Sequence, residues 1–335
     1  MYREAGESAA VVARQLQMNA SLVADLGRHL RERAPRAVVT CARGSSDHAA
    51  TYAKYLVETH ARVLTASAAP SINSVYGIEV DLRDCVYVVI SQSGQSPDLL
   101  ASVASARKTG AFVIALCNDP DAPLCAAADV AIPLWAGPER SVAATKSYVA
   151  SLAALAHLVA QWTNDAPLQS AVQSLPDVLP AAWELDWSAA LPVLAPAEHL
   201  YVIGRGIGLT LAQEAALKGK ETCMLHAEAY SGAEVRHGPF SLPDADFPVM
   251  ILAQDDATRP GLATLAAELA RRGVDVLLAG AHAAGTFELP SLEVPGAIAP
   301  IVQAPTLYRL IARLAVARGH DPDRPPHLRK VTETL

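Results

Sequence analysis

"CVYVVISQSGQSPD", residues 85–98, runs from an apolar stretch into a turn crowded with hydroxyl and amide side chains, and then into a proline. Cys85–Ile90 reads as a buried strand. Pro97 suits the first position of a helix, where its missing N–H costs nothing, which makes Ser96 the expected N-cap. Ser91, Gln92, Ser93, Gln95 and Ser96 then surround Gly94 beside the free N–H groups and the positive end of the helix dipole. That combination favours an anion, typically phosphate. A polar turn with a good cap is the alternative reading of the same residues.

The strand–turn–helix plan recurs. "AVVTCARGSSDHAATYAKYLVET" (37–59) and "LYVIGRGIGLTLAQEAALKGKET" (200–222) share an apolar strand, an Arg-Gly turn and a long helix. "CVYVVISQSG" (85–94) matches "DFPVMILAQDD" (246–256), and "ARKTGAFVIALCND" (106–119) matches "ARRGVDVLLAGAH" (270–282). Three matched pieces in one order predict a duplicated α/β unit, each copy a doubly wound parallel sheet. The expected organisation is an N-terminal helical extension over 1–34, one sheet domain over 35–170, a second over 188–322, and a C-terminal tail over 323–335. The Pro-containing segment "SLPDVLPAAWELDW" (174–187) reads as the connection between copies. In the extension, Val11, Val12, Leu16, Val23, Leu26 and Leu30 recur at roughly helical spacing.

The two copies differ at the polar turn. Where the first has Ser93 and Gly94, the second has Asp255 and Asp256, and paired carboxylates repel a phosphate. The first copy is therefore the expected anion site. In doubly wound sheets ligands sit at the carboxyl ends of the strands, where both "SQSG" and "ARGSS" fall. Ser45 and Ser46 could face the same ligand or cap the helix they open.

Bulk properties narrow the function. At 335 residues the chain has room for two domains, and its 51% hydrophobic, 5% aromatic composition suits helices packed on buried parallel strands. A net charge of −7 with no basic run argues against nucleic acid. Five cysteines without a CxxC pair suit a reducing cytoplasm and no structural zinc. "MYREAGESAA" has no signal-peptide core, and the uncharged stretch 147–163, interrupted by His157 and Gln161, reads as a core helix rather than a membrane span.

In "QEAALKGKETCMLHAEAYSGAEVRHGPF" (213–240), Glu214, Lys218 and Glu221 fall at i, i+4 and i+7, on one helical face. A surface ion-pair ladder is the ordinary meaning of that spacing. The apolar neighbours Ala215, Ala216 and Leu217, and a following loop with His226, Glu228, Glu234 and His237, favour proton-transfer chemistry beside a carbonyl instead. No H-x-x-x-H or H-E-x-x-H spacing marks a metal site.

"SQSGQSPD", "GPERSVAATKSY" (137–148), "EAALKGKE" (214–221), "HAEAYSGAEVRHGP" (226–239) and "PPHLRKVT" (325–332) resemble the sugar-phosphate isomerase (SIS) superfamily. Within it they are most similar to the isomerase half of glucosamine-6-phosphate synthase and to stand-alone isomerase-type glucosamine-6-phosphate deaminases. The resemblance implies two SIS domains, a homodimer with an active site shared between subunits, a hexose 6-phosphate ligand and no cofactor. It assigns phosphate binding to Ser46, Ser91, Gln92, Ser93 and Ser96, and sugar contacts to Ser45 and Val142, with Glu214 added from the charged helical face. It makes Glu221 the residue that moves a proton between C1 and C2, and His237 the ring-opening histidine, supplied from the partner subunit. Lys218 stands beside the reacting carbon, and Lys330, on a tail that closes the site, engages the open-chain sugar.

Two departures qualify it. The synthases carry an N-terminal glutaminase domain that opens on a nucleophilic cysteine, whereas here residue 2 is Tyr2 and a helical extension precedes the first strand, so glutamine hydrolysis is not expected of this chain. Arg43 of "RGSS" stands at a cysteine of the synthase turn. The expected activity is conversion of glucosamine 6-phosphate to fructose 6-phosphate and ammonia in the cytoplasm. A synthase-like isomerase, or an isomerase of another amino-sugar phosphate, is the alternative. A non-catalytic sugar-phosphate sensor is a third reading, disfavoured by the joint presence of Glu221, His237 and Lys330 and by the lack of a helix-turn-helix.

Overall fold

The computed structural model describes residues 1–330; the last five residues of the expected tail, including part of "PPHLRKVT", lie outside the described residues. Among the described residues ten strands form two sheets. The first holds β1 (Ala37–Cys41), β2 (Leu64–Ser67), β3 (Cys85–Ser91), β4 (Phe112–Cys117) and β5 (Val130–Pro133), in the order β2-β1-β3-β4-β5. The second holds β6 (His199–Gly204), β7 (His226–Ser231), β8 (Val249–Leu252), β9 (Val276–Ala279) and β10 (Phe287–Leu289), in the order β7-β6-β8-β9-β10. Every pairing is parallel, so both sheets are the same doubly wound plan traced twice. The repeat read from the sequence falls on β1 and β6, β3 and β8, and β4 and β9.

Compact units do not follow chain order. One contains the first sheet and comprises Ala10–Glu139, Lys146–Pro176, Arg329 and Lys330; the other contains the second sheet and comprises Met1–Ala9, Arg140–Thr145 and Asp177–Leu328.

In the first-sheet unit all seven residues of β3 are buried, as parallel strands covered on both faces require. Tyr87 and Val89 of β3 pack with Val113 and Ala115 of β4 under Leu99 and Val103 of the helix Pro97–Lys108. The long helix Ser8–Arg33 buries Val11, Val12, Leu16, Val23, Leu26 and Leu30. It approaches the helix Lys146–Thr163 so closely that a Cβ on Gly27 would lie 2.7 Å from the Gln161 backbone. That second helix is buried almost throughout. No helix among the described residues is long and apolar enough to cross a membrane.

The expected connection at 174–187 is helical for most of its length, inside Ala166–Glu184. Leu168, Val172, Leu175, Leu179 and Ala182 are all buried at helical spacing. That apolar stripe outweighs the backbone hydrogen bonds lost at Pro176 and Pro180.

In the second-sheet unit Ile203, Ile251 and Leu278 from three adjacent strands pack against Leu262, Leu265 and Leu269 of the helix Arg259–Arg271. On the helix Leu209–Cys223, which follows β6, Glu214 and Lys218 are buried among the apolar residues.

Candidate active site

The turn after β3 is built as a cradle. Gly94 sits at φ +62°, and a Cβ there would come 2.5 Å from that of Ala122, so only glycine serves. The Gly94 N–H donates to Ser91 Oγ at 3.1 Å, and the Gln95 N–H to Ser93 Oγ at 3.4 Å. Ser96 occupies the N-cap position of the helix Pro97–Lys108, with extended backbone, yet its hydroxyl makes no capping bond. A helix N-terminus beside the side chains of Gln92, Ser93 and Ser96, all only partly buried, is suited to an anion.

The turn after β1 is tied to this cradle. Gly44, at φ +55°, takes the N-cap of the helix Ser45–Leu56, so Ser45 and Ser46 stand in its first turn and not at the cap. Arg43 reaches across to Asp98 in the first turn of the other helix, 3.0 Å from its buried carboxylate. The second Asp98 oxygen accepts its neighbour's Leu99 N–H at 2.9 Å. The arginine that departs from the synthase pattern thus joins the two turns at the carboxyl ends of β1 and β3.

In the same unit Lys330 is anchored. Its Nζ lies 2.9 Å from Glu139, whose side chain has no solvent exposure. Glu139 also accepts the Ser147 N–H at 3.1 Å and the Ser147 hydroxyl at 2.7 Å. The carboxylate fastens the C-terminal segment to the start of the helix Lys146–Thr163.

The second-sheet unit carries the charged ladder. Lys218 Nζ donates to Glu221 at 2.6 Å and lies 3.5 Å from Glu214, which also accepts the Tyr308 hydroxyl at 2.9 Å. The side-chain exposures are 0% for Glu214, 1% for Lys218 and 24% for Glu221. A ladder that could have been a surface decoration is a buried ion network with one carboxylate open to solvent. Such a group, held by a fixed cation, is equipped to take and return a proton.

The other polar residues of 213–240 are spread out. His226 and Glu228 lie on β7 instead of in a loop, an edge strand of the second sheet. The Glu228 carboxylate accepts the Tyr230 hydroxyl at 2.7 Å. His237 follows the short helical turn Glu234–Arg236 and is exposed, and its N–H donates to the Glu234 carbonyl at 2.9 Å. Val142 lies in the loop before the helix Lys146–Thr163, where its N–H donates to the Asp323 carbonyl at 3.2 Å.

The SIS domain family matches residues 33–161 and 193–280, one segment over each sheet. The chain belongs to the SIS family. The glutamine–fructose-6-phosphate aminotransferase (isomerizing) of Aeropyrum pernix is 34% identical over 331 residues, 93% of this SIS chain and 52% of its own. The chain thus spans about half the length of the curated relatives it matches. A crystal structure from Silicibacter pomeroyi DSS-3, of a protein provisionally called a phosphosugar isomerase, superposes with a TM-score of 0.93 at 39% identity, covering 96% of this chain and 99% of that one. The C-terminal domain of glucosamine-fructose-6-phosphate aminotransferase from Francisella tularensis gives 0.85 at 26% identity, over 97% and 98%.

Two residues of this SIS protein escape a reading by motif. Glu139 stands in the loop "GPER", where a carboxylate signals nothing until its burial is known. Asp98 follows Pro97, and an acidic group in a first helical turn is ordinary. The arginine at the end of β1, Arg43, was the available clue to Asp98.

Proposed function

We propose that this SIS protein interconverts an amino-aldose 6-phosphate and a ketose 6-phosphate, and that with glucosamine 6-phosphate it acts as a deaminase. Ser46, Ser91, Gln92, Ser93 and Ser96 hold the phosphate, with Ser45 and Val142 against the sugar. His237 opens the ring, supplied by the partner subunit of a homodimer. Glu221 removes the proton from C2 and returns it to C1, which leaves a C2 imine. Water adds to that imine, and ammonia leaves with fructose 6-phosphate as the other product. Lys218 and Glu214 fix the Glu221 carboxylate, and Lys330 donates to, or condenses with, the open-chain carbonyl.

The observation that carries this reading is the Glu221 carboxylate, partly exposed and held 2.6 Å from a buried ammonium. Direction follows from mass action: free ammonia is mostly protonated at neutral pH and is then no nucleophile. Kinship with the isomerase halves of aminotransferases supports a second reading, amination of fructose 6-phosphate when ammonia is delivered to the site. Incubation of the pure protein with glucosamine 6-phosphate, with ammonia and fructose 6-phosphate followed together, tests the first. Stoichiometric release of both supports deamination. Glucosamine 6-phosphate formed only from fructose 6-phosphate and concentrated ammonium supports the second, and neither product in either direction refutes both.

A further inference from the structure

The second sheet has its own cavity at the carboxyl ends of its strands, beside the counterpart of the first sheet's serine turn. It measures ≈ 330 Å³ and is lined by Arg205, Arg236, His237, Gly232, Gly261 and Leu262, among others. Arg205 follows β6 as Arg43 follows β1, and Gly261 and Leu262 lie in the first turns of the helix after β8. The cavity therefore opens at the carboxyl ends of β6 and β7, beside the switch point between β6 and β8 where doubly wound sheets take ligands.

The Asp255–Asp256 pair speaks against an anion here, but the structure turns those charges elsewhere. Asp256 accepts the Thr258 N–H at 2.7 Å, the Thr258 hydroxyl at 2.5 Å and a Gln254 amide N–H at 2.8 Å. Asp255 lies 3.4 Å from Arg259. Neither aspartate lines the cavity. Of the cations that do, Arg236 is balanced by Glu268 at 2.7 Å, whereas Arg43's counterpart Arg205 makes no ion pair among the described residues. Gly261, in the first turn of a thirteen-residue helix, lines the cavity with open space where a Cβ would stand, at the positive end of the helix dipole.

We propose that this cavity is a second anion site, one that binds a compact phosphate dianion, free or carried by a small metabolite. Arg205 is its principal ligand, with Arg236 and the Gly261 N–H completing it. The internal duplication has then kept two phosphate sites, made from serines in one copy and from arginines in the other. Binding at this site does not depend on the proposed chemistry.

Calorimetric titration with inorganic phosphate tests the site in the Ser93→Ala/Ser96→Ala chain, which removes hydroxyls from the first cradle. Saturable binding should persist there and weaken about tenfold on adding Arg205→Gln, the loss of one charge-assisted contact. Arg205 is exposed and outside any ion pair among the described residues, so its replacement should leave thermal stability unchanged. Repeating the titration with glucosamine 6-phosphate separates the sources: an Arg205-dependent affinity equal to that of phosphate identifies the free ion, and a tighter one that Arg205→Gln likewise weakens identifies a phosphorylated metabolite. Binding indifferent to Arg205→Gln, matched by chloride, or absent from the Ser93→Ala/Ser96→Ala chain overturns the proposal. Because inorganic phosphate is not turned over, the phosphate titration has the same outcome for an inactive enzyme.

Discussion

Replacing Lys218 by methionine keeps the volume of the side chain and removes its charge. The ammonium is 1% exposed and pairs with two carboxylates, one of them, Glu214, with no exposure at all. Removing one partner of a buried ion pair costs roughly 3–5 kcal/mol, because the surviving charge stays desolvated. Glu221 can turn to water, so the penalty falls on Glu214, for which the Tyr308 hydroxyl at 2.9 Å compensates in part. A loss of about 3 kcal/mol follows, or roughly 10 °C in the melting temperature of a domain of this size. Urea denaturation of Lys218→Met, Glu214→Gln and the double variant measures it. The double variant should recover at least about 1 kcal/mol relative to additivity, since no buried charge is stranded. A Lys218→Met chain within about 0.5 kcal/mol of the parent, or strictly additive variants, refutes a stabilising buried network.

Other consequences can be checked separately. Ser93→Ala and Ser96→Ala should each weaken hexose 6-phosphate binding by roughly tenfold without lowering the melting temperature; unchanged affinity in both removes the phosphate assignment. Glu139→Gln should release Lys330 and depress turnover, while Lys330→Arg should preserve the contact with Glu139 and still fail if a nucleophilic amine is needed. Kinetics of both variants decide it, and full activity in both dismisses a role for Lys330. Burial depresses the His157 imidazole from its ordinary 6.5 to about 4. Its neutral form is therefore fully stabilising above pH 6.5, and this contribution is lost as the pH falls toward 4, amounting to about 3 kcal/mol. Stability measured across that range should fall less steeply in His157→Gln; equal slopes contradict the assignment.

The sequence showed its strands because period and burial coincide there: β3 is apolar along nearly its whole length and buried at every position. It showed the duplication because matched segments kept one order, and both sheets repeat one strand order. The helix Ala166–Glu184 was obscured by its prolines, whose local preference gave way to an apolar stripe that only tertiary packing rewards. Spacing revealed that Glu214, Lys218 and Glu221 share a face, but not that two of them are buried; the Tyr308 hydroxyl that meets Glu214 comes from 94 residues away. Glu139 was illegible for the same reason, since its cation Lys330 is 191 residues distant. Arg43 read as a departure from a motif, and its meaning emerged only with the Asp98 carboxylate across the strand ends.

The central claim is that Glu221 moves the proton, and Glu221→Gln tests it most directly. The amide keeps size and hydrogen bonding but cannot act as a base. Release of ammonia and fructose 6-phosphate from glucosamine 6-phosphate, followed at saturating substrate, should fall by roughly two to four orders of magnitude in this variant, with hexose 6-phosphate affinity nearly unchanged. A Glu221→Gln enzyme that turns over at the parental rate would contradict the account.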